Sequence, residues 1–96
     1  MSKSRFSAEY AVFCQTLKDL RLQANVTQTD LATSLGRPQS HVSKFEAGER
    51  RLDVVETMAV CDAIGISFEN FVKEFTARLL YRQKRRSTQV RKGVGK

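Results

Sequence analysis

The segment from Thr27 to Gly48 constrains the fold of this 96-residue chain more than any other. Thr27 with Asp30 forms a capping pair that predicts a helix start, and Gly36 predicts the end of that helix. Pro38 predicts a second helix start. In the first turn of a helix a backbone N–H has no partner within the helix, so proline, which lacks this group, is tolerated there. Gly48 predicts where the second helix ends. The segment is therefore expected to form two short helices joined by a tight turn.

Each of these two helices is predicted to bury one face. Leu31, Ala32 and Leu35 recur at the spacing of a helix face in the first helix. Val42 and Phe45 give the second helix a narrow apolar stripe. The polar side chains left exposed on the second helix are Gln39, Ser40, His41, Ser43 and Lys44.

Apolar periodicity predicts another helix on the N-terminal side of this segment. It should run from about Ala8 to Gln23, with Asn25 as the residue that stops it. Its apolar face comprises Phe13, Leu17, Leu20 and Ala24.

Two more helices are predicted on the C-terminal side. Asp53 with Glu56 is a capping pair for the fourth helix, Gly65 ends it, and Ser67 caps the fifth. The positions expected to face inward are Val54, Met58, Cys61 and Ile64 in the fourth helix and Phe68, Phe71, Val72 and Phe75 in the fifth. Because no segment shows the alternating pattern of a strand, we predict an all-α fold of five helices.

Positive charge is concentrated at the C-terminal end of the chain, whose net charge is +7. Residues 1–77 hold nine lysines and arginines against all ten acidic residues, or −1, whereas residues 78–96 hold eight against none, or +8. We expect a folded domain at 8–77 and a basic tail at 78–96, with the fifth helix fraying beyond Tyr81 and then giving way to disorder. Such a tail can bind a polyanion, most often nucleic acid, or it can serve only to solubilise the chain.

The sequence argues against several other classes of protein. No apolar run approaches the roughly 18 residues of a membrane span, and no signal-peptide pattern follows the N-terminus. Cys14 and Cys61 lie far apart among apolar positions, which favours buried reduced thiols in a cytoplasmic protein over a disulfide. A lone histidine, His41, predicts no metal site. With no catalytic constellation in the sequence, we expect neither a cofactor nor an enzyme.

The exposed polar side chains have the chemistry of DNA contacts. The amide of Gln39 can pair with adenine N6 and N7, and Lys44 can reach guanine O6 and N7 or a phosphate. Gln28 follows the Thr27 cap, so its amide and the free N–H groups of that helix can hold a phosphate. We expect base contacts from Gln39, Ser40 and Lys44, and backbone contacts from Gln28, His41, Ser43, Arg50 and Arg51.

Three of these side chains have a second interpretation. Arg50 and Arg51 can clamp phosphates beside the second helix, or one of them can pair with Glu46 or Glu49 and only fix the loop. His41 lies on a flank, where a phosphate contact and plain exposure to solvent are both open.

Taken together, these motifs resemble the xenobiotic-response-element family of helix-turn-helix proteins, which includes the lambda repressor and Cro. The resemblance extends from about Phe13 to Phe75 and is carried by the runs Leu17–Arg21, Thr27–Ala32, Leu35–Gly36, Val42–Gly48 and Ala63–Ile66. It implies a five-helix, lambda-repressor-like DNA-binding domain in which Gln28 anchors phosphate and Gln39, Ser40 and Lys44 contact bases.

The resemblance also implies that Glu46 is structural and tied to an arginine such as Arg21. The chain departs from the common family pattern at Pro38, where serine or threonine usually caps the helix, so that this helix start must be anchored differently. It departs again at Leu52, where proline is more usual.

Three functions from different classes fit the sequence. The first is a sequence-specific transcription regulator, mainly a repressor, whose homodimer places two recognition helices about 34 Å apart on a pseudo-palindromic operator in double-stranded DNA. The second is an antitoxin or other interaction module, whose basic tail binds a protein partner while the helix-turn-helix only autoregulates. The third is a nucleoid-type binder with little sequence preference. The candidates for a homodimer interface are Leu79, Leu80 and Tyr81.

Overall fold

The computed structural model describes residues 7–94, with side-chain positions through residue 85. Within this part of the chain all regular structure is helical, which confirms the all-α prediction. The five helices are α1 (Ala8–Gln23), α2 (Gln28–Leu35), α3 (Gln39–Glu46), α4 (Val54–Ile64) and α5 (Phe68–Val94). None of these helices combines the length and the apolar character required to cross a membrane.

The predicted N-caps are confirmed. Thr27 Oγ1 accepts a hydrogen bond of 2.9 Å from the Asp30 N–H, and the Asp30 carboxylate reaches back towards the Thr27 N–H. Asp53 and Glu56 form the same reciprocal pair at the start of α4. Ser67 Oγ accepts from the Asn70 N–H at 3.0 Å. These contacts satisfy N–H groups that a helix start otherwise leaves without partners.

Helices α1 to α4 each end at a residue with positive φ, namely Asn25, Gly36, Gly48 and Gly65. At Gly36 φ is 68°, and the next residue, Arg37, donates its N–H to the Ala32 carbonyl at 2.9 Å. This is the bond of a Schellman motif, and a side chain at the left-handed position would strain it. Gly36 thus stops α2 and sets the short turn Gly36–Pro38 that leads into α3.

The core lies where all five helices meet. Helix α1 packs against α3, α4 and α5, and α2 packs against α3 and α4. The buried cluster comprises Leu17, Leu31, Ala32, Val42, Phe45, Val60, Cys61, Ile64 and Phe71. Both cysteines are buried free thiols, as predicted. Desolvation raises the pKa of Cys61 to about 11, so this thiol is held in its protonated, unreactive form.

The predicted buried stripe of α4 is wrong at two positions. Val54 is 63% exposed and Met58 is 47% exposed, whereas Thr57, Val60, Cys61 and Ile64 face the core. The inner face is thus turned towards Thr57 and Val60 while it keeps Cys61 and Ile64, because Thr57 can be buried once its hydroxyl donates to the Asp53 carbonyl at 2.8 Å. Val54, Val55 and Met58 are left as an exposed apolar patch, called here the α4 patch.

Helix α5 is longer than the sequence suggested. Fraying and disorder were expected beyond Tyr81, but α5 continues as a helix to Val94. Arginine, lysine and glutamine are good helix formers, and no glycine or proline occurs between Tyr81 and Gly93. The division into a domain at 8–77 and a basic tail at 78–96 stays a prediction, and residues 95 and 96 lie outside the described part.

Candidate nucleic-acid interface

Helix α3 presents a polar face to solvent because its apolar face is fully anchored. Val42 and Phe45 are 0% and 1% exposed. Of the five polar side chains predicted to be exposed, His41 is half-buried, and the four that are exposed are Gln39, Ser40, Ser43 and Lys44. Two of them are short, so that a groove wall can approach the helix closely. The exposed face of α3 therefore combines amide, hydroxyl and ammonium groups without an apolar side chain between them.

Helix α2 begins beside this face. Its N-terminal N–H groups carry the positive end of the helix dipole, and such a helix start is a favourable place for a phosphate. Gln28, the first helical residue, is half-buried against α3. Its amide Oε1 accepts a hydrogen bond of 3.2 Å from Gln39 Nε2. This contact joins the first residue of α2 to the first residue of α3.

Pro38 occupies the N-cap of α3 and makes no side-chain capping bond. The expected departure from the common family pattern is thus confirmed, and the Gln39–Gln28 contact supplies an anchor for the helix start instead. Sequence reasoning did not find this contact, since it depends on how α2 and α3 cross.

A buried ion pair lies directly beneath the two glutamines. Arg21 Nε donates to Glu46 Oε2 at 2.6 Å and Arg21 Nη2 donates to Glu46 Oε1 at 3.0 Å. The two side chains are only 6% and 4% exposed. Arg21 Nη1 also donates to the Val26 carbonyl, at 2.8 Å. The implied structural role of Glu46 is therefore confirmed, and its carboxylate ties α1 to the end of α3.

The loop after α3 holds its two arginines in different ways. Arg50 Nη2 donates to Glu56 Oε2 at 3.1 Å, so its carboxylate partner is neither Glu46 nor Glu49. The Arg51 guanidinium lies 4.3 Å from the centroid of the Tyr10 ring. Both contacts position the loop. They support the interpretation of Arg50 and Arg51 as residues that fix the loop.

Tyr10 is a loop anchor that sequence reasoning missed. Its hydroxyl donates to the Arg50 carbonyl and accepts from the Leu52 N–H, each at 3.2 Å. The ring is buried and stacks on Phe13 with 5.2 Å between centroids. A single tyrosine 40 residues away gives no sequence signal for such a contact.

His41 is half-buried on the flank of α3, with its ring edge-on to Phe45 at 5.6 Å between centroids. Burial lowers the pKa of His41, and the positive charges of Arg50 and Arg37 lower it further. The lowered pKa favours the neutral imidazole in the free protein. Across the described residues no cluster of three or more potential metal ligands includes it.

Comparisons with known proteins agree with this geometry. A family model described as "Helix-turn-helix domain" matches residues 13–70. An XRE-family like protein from Pseudomonas syringae pv. tomato str. DC3000 is 42% identical, with 80% of this chain and 94% of that chain covered and a TM-score of 0.71. No curated protein matches the chain.

The restriction-modification controller protein C.Esp1396I shares the fold. Its wild-type structure is 22% identical, covers 77% of this chain and 97% of that chain, and has a TM-score of 0.72. A tetramer of the same controller in complex with its natural 35 base-pair operator has a TM-score of 0.71 at the same identity and coverage.

The chain belongs to the helix-turn-helix domain family. It is a DNA-binding transcription regulator of this class, with α2 and α3 as the helix-turn-helix pair. The finer assignment to the xenobiotic-response-element group stays a prediction.

Proposed function

We propose that the protein is a sequence-specific transcription repressor that occupies a pseudo-palindromic operator as a homodimer. The observation that carries this proposal is the exposed polar face of α3, set against the start of α2 by the Gln39–Gln28 contact. In this arrangement α3 enters the major groove while the start of α2 meets a phosphate. Bound at a promoter, the dimer would exclude polymerase without a cofactor.

The two kinds of DNA contact come from different parts of the surface. Base contacts are assigned to the exposed face of α3, namely Gln39, Ser40 and Lys44. Backbone contacts are assigned to the groups around it, namely Gln28, His41, Ser43, Arg50 and Arg51. Arg50 keeps its contact with Glu56 at the edge of the site, where the exposure of both side chains leaves room for a phosphate.

The α4 patch is the surface that we propose for pairing with a second copy. Val54, Val55 and Met58 are 63%, 73% and 47% exposed and lie within two turns of one helix. Val54 also borders an open apolar cleft of about 490 Å³ between α1, α4 and α5. Leu80 and Tyr81 on α5 are exposed as well, but Arg82, Lys84 and Arg85 follow them, so pairing there would crowd like charges.

Selection of bound duplexes from a random-sequence library, at roughly physiological salt, tests the proposal. We expect enrichment of an inverted repeat with half-site centres about ten base pairs apart. Binding without an enriched sequence would contradict specific regulation and favour the nucleoid-type function. If no duplex is retained, the antitoxin or other protein-interaction function would replace the proposal.

The substitution Met58→Lys should convert the dimer into a monomer. A charge at the centre of the α4 patch would be buried without a partner in the paired state. Loss of the second recognition helix should weaken binding to the full inverted repeat by about 100-fold or more. Analytical ultracentrifugation and operator titration measure the two effects. Leu80→Lys is the matched control, and a monomer from that variant instead would move the interface to α5.

Removal of residues 82–96 should reduce the salt dependence of binding. The deletion takes away seven lysines and arginines. Each cation that contacts phosphate contributes about 0.9 to the slope of log K against log salt concentration. We expect a shallower slope with the same preferred sequence, measured by titration of one duplex over a range of salt. A changed preferred sequence would show that the tail reads bases.

The pH dependence of binding should reveal the predicted phosphate contact of His41. The pKa of His41 is lowered in the free protein, and a nearby phosphate would raise it by favouring the imidazolium. Binding would then take up a proton, so the affinity should rise as the pH falls through the ordinary histidine range. His41→Asn should lose this part of the pH dependence. Equal pH profiles for the two proteins would remove His41 from the interface.

A further inference from the structure

Helix α5 lies beside α1 and runs in the same direction. Phe13 in α1 contacts Phe71 and Phe75 in α5, with 5.4 Å and 5.5 Å between the ring centroids. Further along both helices, the Asp19 carboxylate of α1 accepts a hydrogen bond of 2.9 Å from Arg78 Nη1 of α5. Because the contact points advance together along the two chains, α1 and α5 are parallel neighbours.

The C-terminal part of α5 projects past the end of α1. Helix α1 ends at Gln23, four residues after Asp19, whereas α5 continues for 16 residues after Arg78 and ends at Val94. The excess of 12 residues corresponds to a projection of about 18 Å. The segment Arg82–Val94 is called here the α5 arm.

The α5 arm projects on the side of the domain that is proposed to face DNA. Only residues 24–27 separate the end of α1 from Gln28, the first residue of α2. The start of α2 is assigned to a phosphate, and Gln28 contacts Gln39 on the exposed face of α3 at 3.2 Å. A helix that runs along α1 and continues beyond its end therefore passes close to the phosphates next to the α2 contact.

The charge of the α5 arm is suited to a phosphate backbone. The arm contains six lysines and arginines and no acidic residue. Arg78, which precedes it, pairs with two carboxylates. Within the part of the chain whose side chains are described, Arg82, Lys84 and Arg85 take part in no ion pair. Cations of this kind strengthen binding to DNA because they release its condensed counterions.

We propose that the α5 arm is a second DNA-binding element, a helix of fixed direction that lies along the phosphate backbone beside each half-site. The packing of Phe13 and the Asp19–Arg78 ion pair set the direction, and the arm supplies the charge. Repulsion between the like-charged arms of a dimer favours the outer ends of the operator over its centre. This inference rests on the proposed docking of α3 in the major groove.

The test compares two duplexes with the full-length protein. One contains the selected inverted repeat with flanks of about ten base pairs on each side, and the other contains the repeat alone; the projection of the arm spans about five base pairs. The wild type should bind the flanked duplex about tenfold or more tightly at roughly 0.1 M salt, since two phosphate contacts are sufficient for such a difference. Hydroxyl-radical footprinting should show protected sugars outside the repeat.

The substitution Gln83→Pro separates a fixed helix from charge alone. It keeps every cation of the arm but breaks the helix, because proline lacks an N–H and its ring clashes with the preceding turn. The variant should lose the advantage of the flanked duplex and should bind the repeat alone like the wild type. Gln83→Ala, which keeps both the charge and the helix, is the matched control and should behave like the wild type. An unchanged midpoint of urea unfolding would show that Gln83→Pro leaves the domain folded.

The proposal is overturned if the wild type binds the two duplexes equally, or if Gln83→Pro keeps the full advantage of the flanked duplex. The second result would assign the flanking contact to a charged tail without a fixed direction. A footprint confined to the repeat would remove the α5 arm from DNA while leaving the proposed function intact. If the repeat itself is unprotected, the docking of α3 fails, and the role of the arm fails with it.

Discussion

Replacement of Glu46 by alanine is expected to lower the free energy of unfolding by about 3–5 kcal/mol. The Arg21 side chain is only 6% exposed, and its guanidinium donates two hydrogen bonds to the Glu46 carboxylate. In the variant it would stay buried with the Val26 carbonyl as its remaining acceptor. An uncompensated buried charge is far more costly than a lost surface contact. Urea titration followed by circular dichroism measures the change.

The matched control is Glu74→Ala. Glu74 Oε2 accepts from Arg78 Nε at 2.9 Å on the surface of α5, and Arg78 keeps a second partner in Asp19. Surface pairs of this kind contribute about 0–1 kcal/mol, so the control should unfold close to the wild type. Similar losses in Glu46→Ala and Glu74→Ala would show that the buried pair does not hold α1 and α3 together.

The second large effect is expected on binding rather than on folding. Gln39→Ala should weaken binding to the preferred duplex by about 1–3 kcal/mol and leave non-specific binding nearly unchanged. The side chain is exposed and makes its described hydrogen bond only with Gln28, so its removal should leave the core intact. Parallel titrations of the selected duplex and of a scrambled duplex measure both affinities.

Gln15→Ala provides the control for this variant, because it removes an exposed glutamine from α1 instead of α3. Its affinities for both duplexes should match those of the wild type. An equal loss on selected and scrambled duplexes in Gln39→Ala would assign Gln39 to the DNA backbone instead of the bases.

Helix boundaries were predictable because the signals for them are local. The range Ala8–Gln23 agrees with α1, and the caps at Thr27 and Asp53 form with the predicted partners three residues later. Gly36 and Gly65 have the left-handed φ values that end α2 and α4. Each of these features depends on a few consecutive residues, so sequence spacing contains the information.

The inward face of α4 was harder to predict, because two neighbouring registers are both plausible there. Val54 and Met58 continue the apolar spacing of Cys61, yet the core takes Thr57 in their place. Burial of Thr57 depends on the hydrogen bond from its hydroxyl to the Asp53 carbonyl. A prediction based on hydrophobicity alone does not include this bond. The exposed residues that result are the ones now proposed for pairing.

The site was predictable as a surface but not as a network. Exposure of Gln39 and Lys44 followed from the burial of Val42 and Phe45 on the opposite side of α3. The Gln28–Gln39 contact depends on the crossing of two helices, and a one-dimensional pattern does not contain that angle. The Arg51–Tyr10 contact likewise joins residues 41 positions apart.

DNA reading by α3 is tested most directly by titrating isotope-labelled protein with the selected duplex and following every backbone and glutamine side-chain amide by NMR. We expect the largest chemical-shift changes at Gln28 and residues 39–44, together with changes in the side-chain amide signals of Gln28 and Gln39. Changes confined to residues 78–94, with α3 unaffected, would contradict the claim that the exposed face of α3 reads DNA.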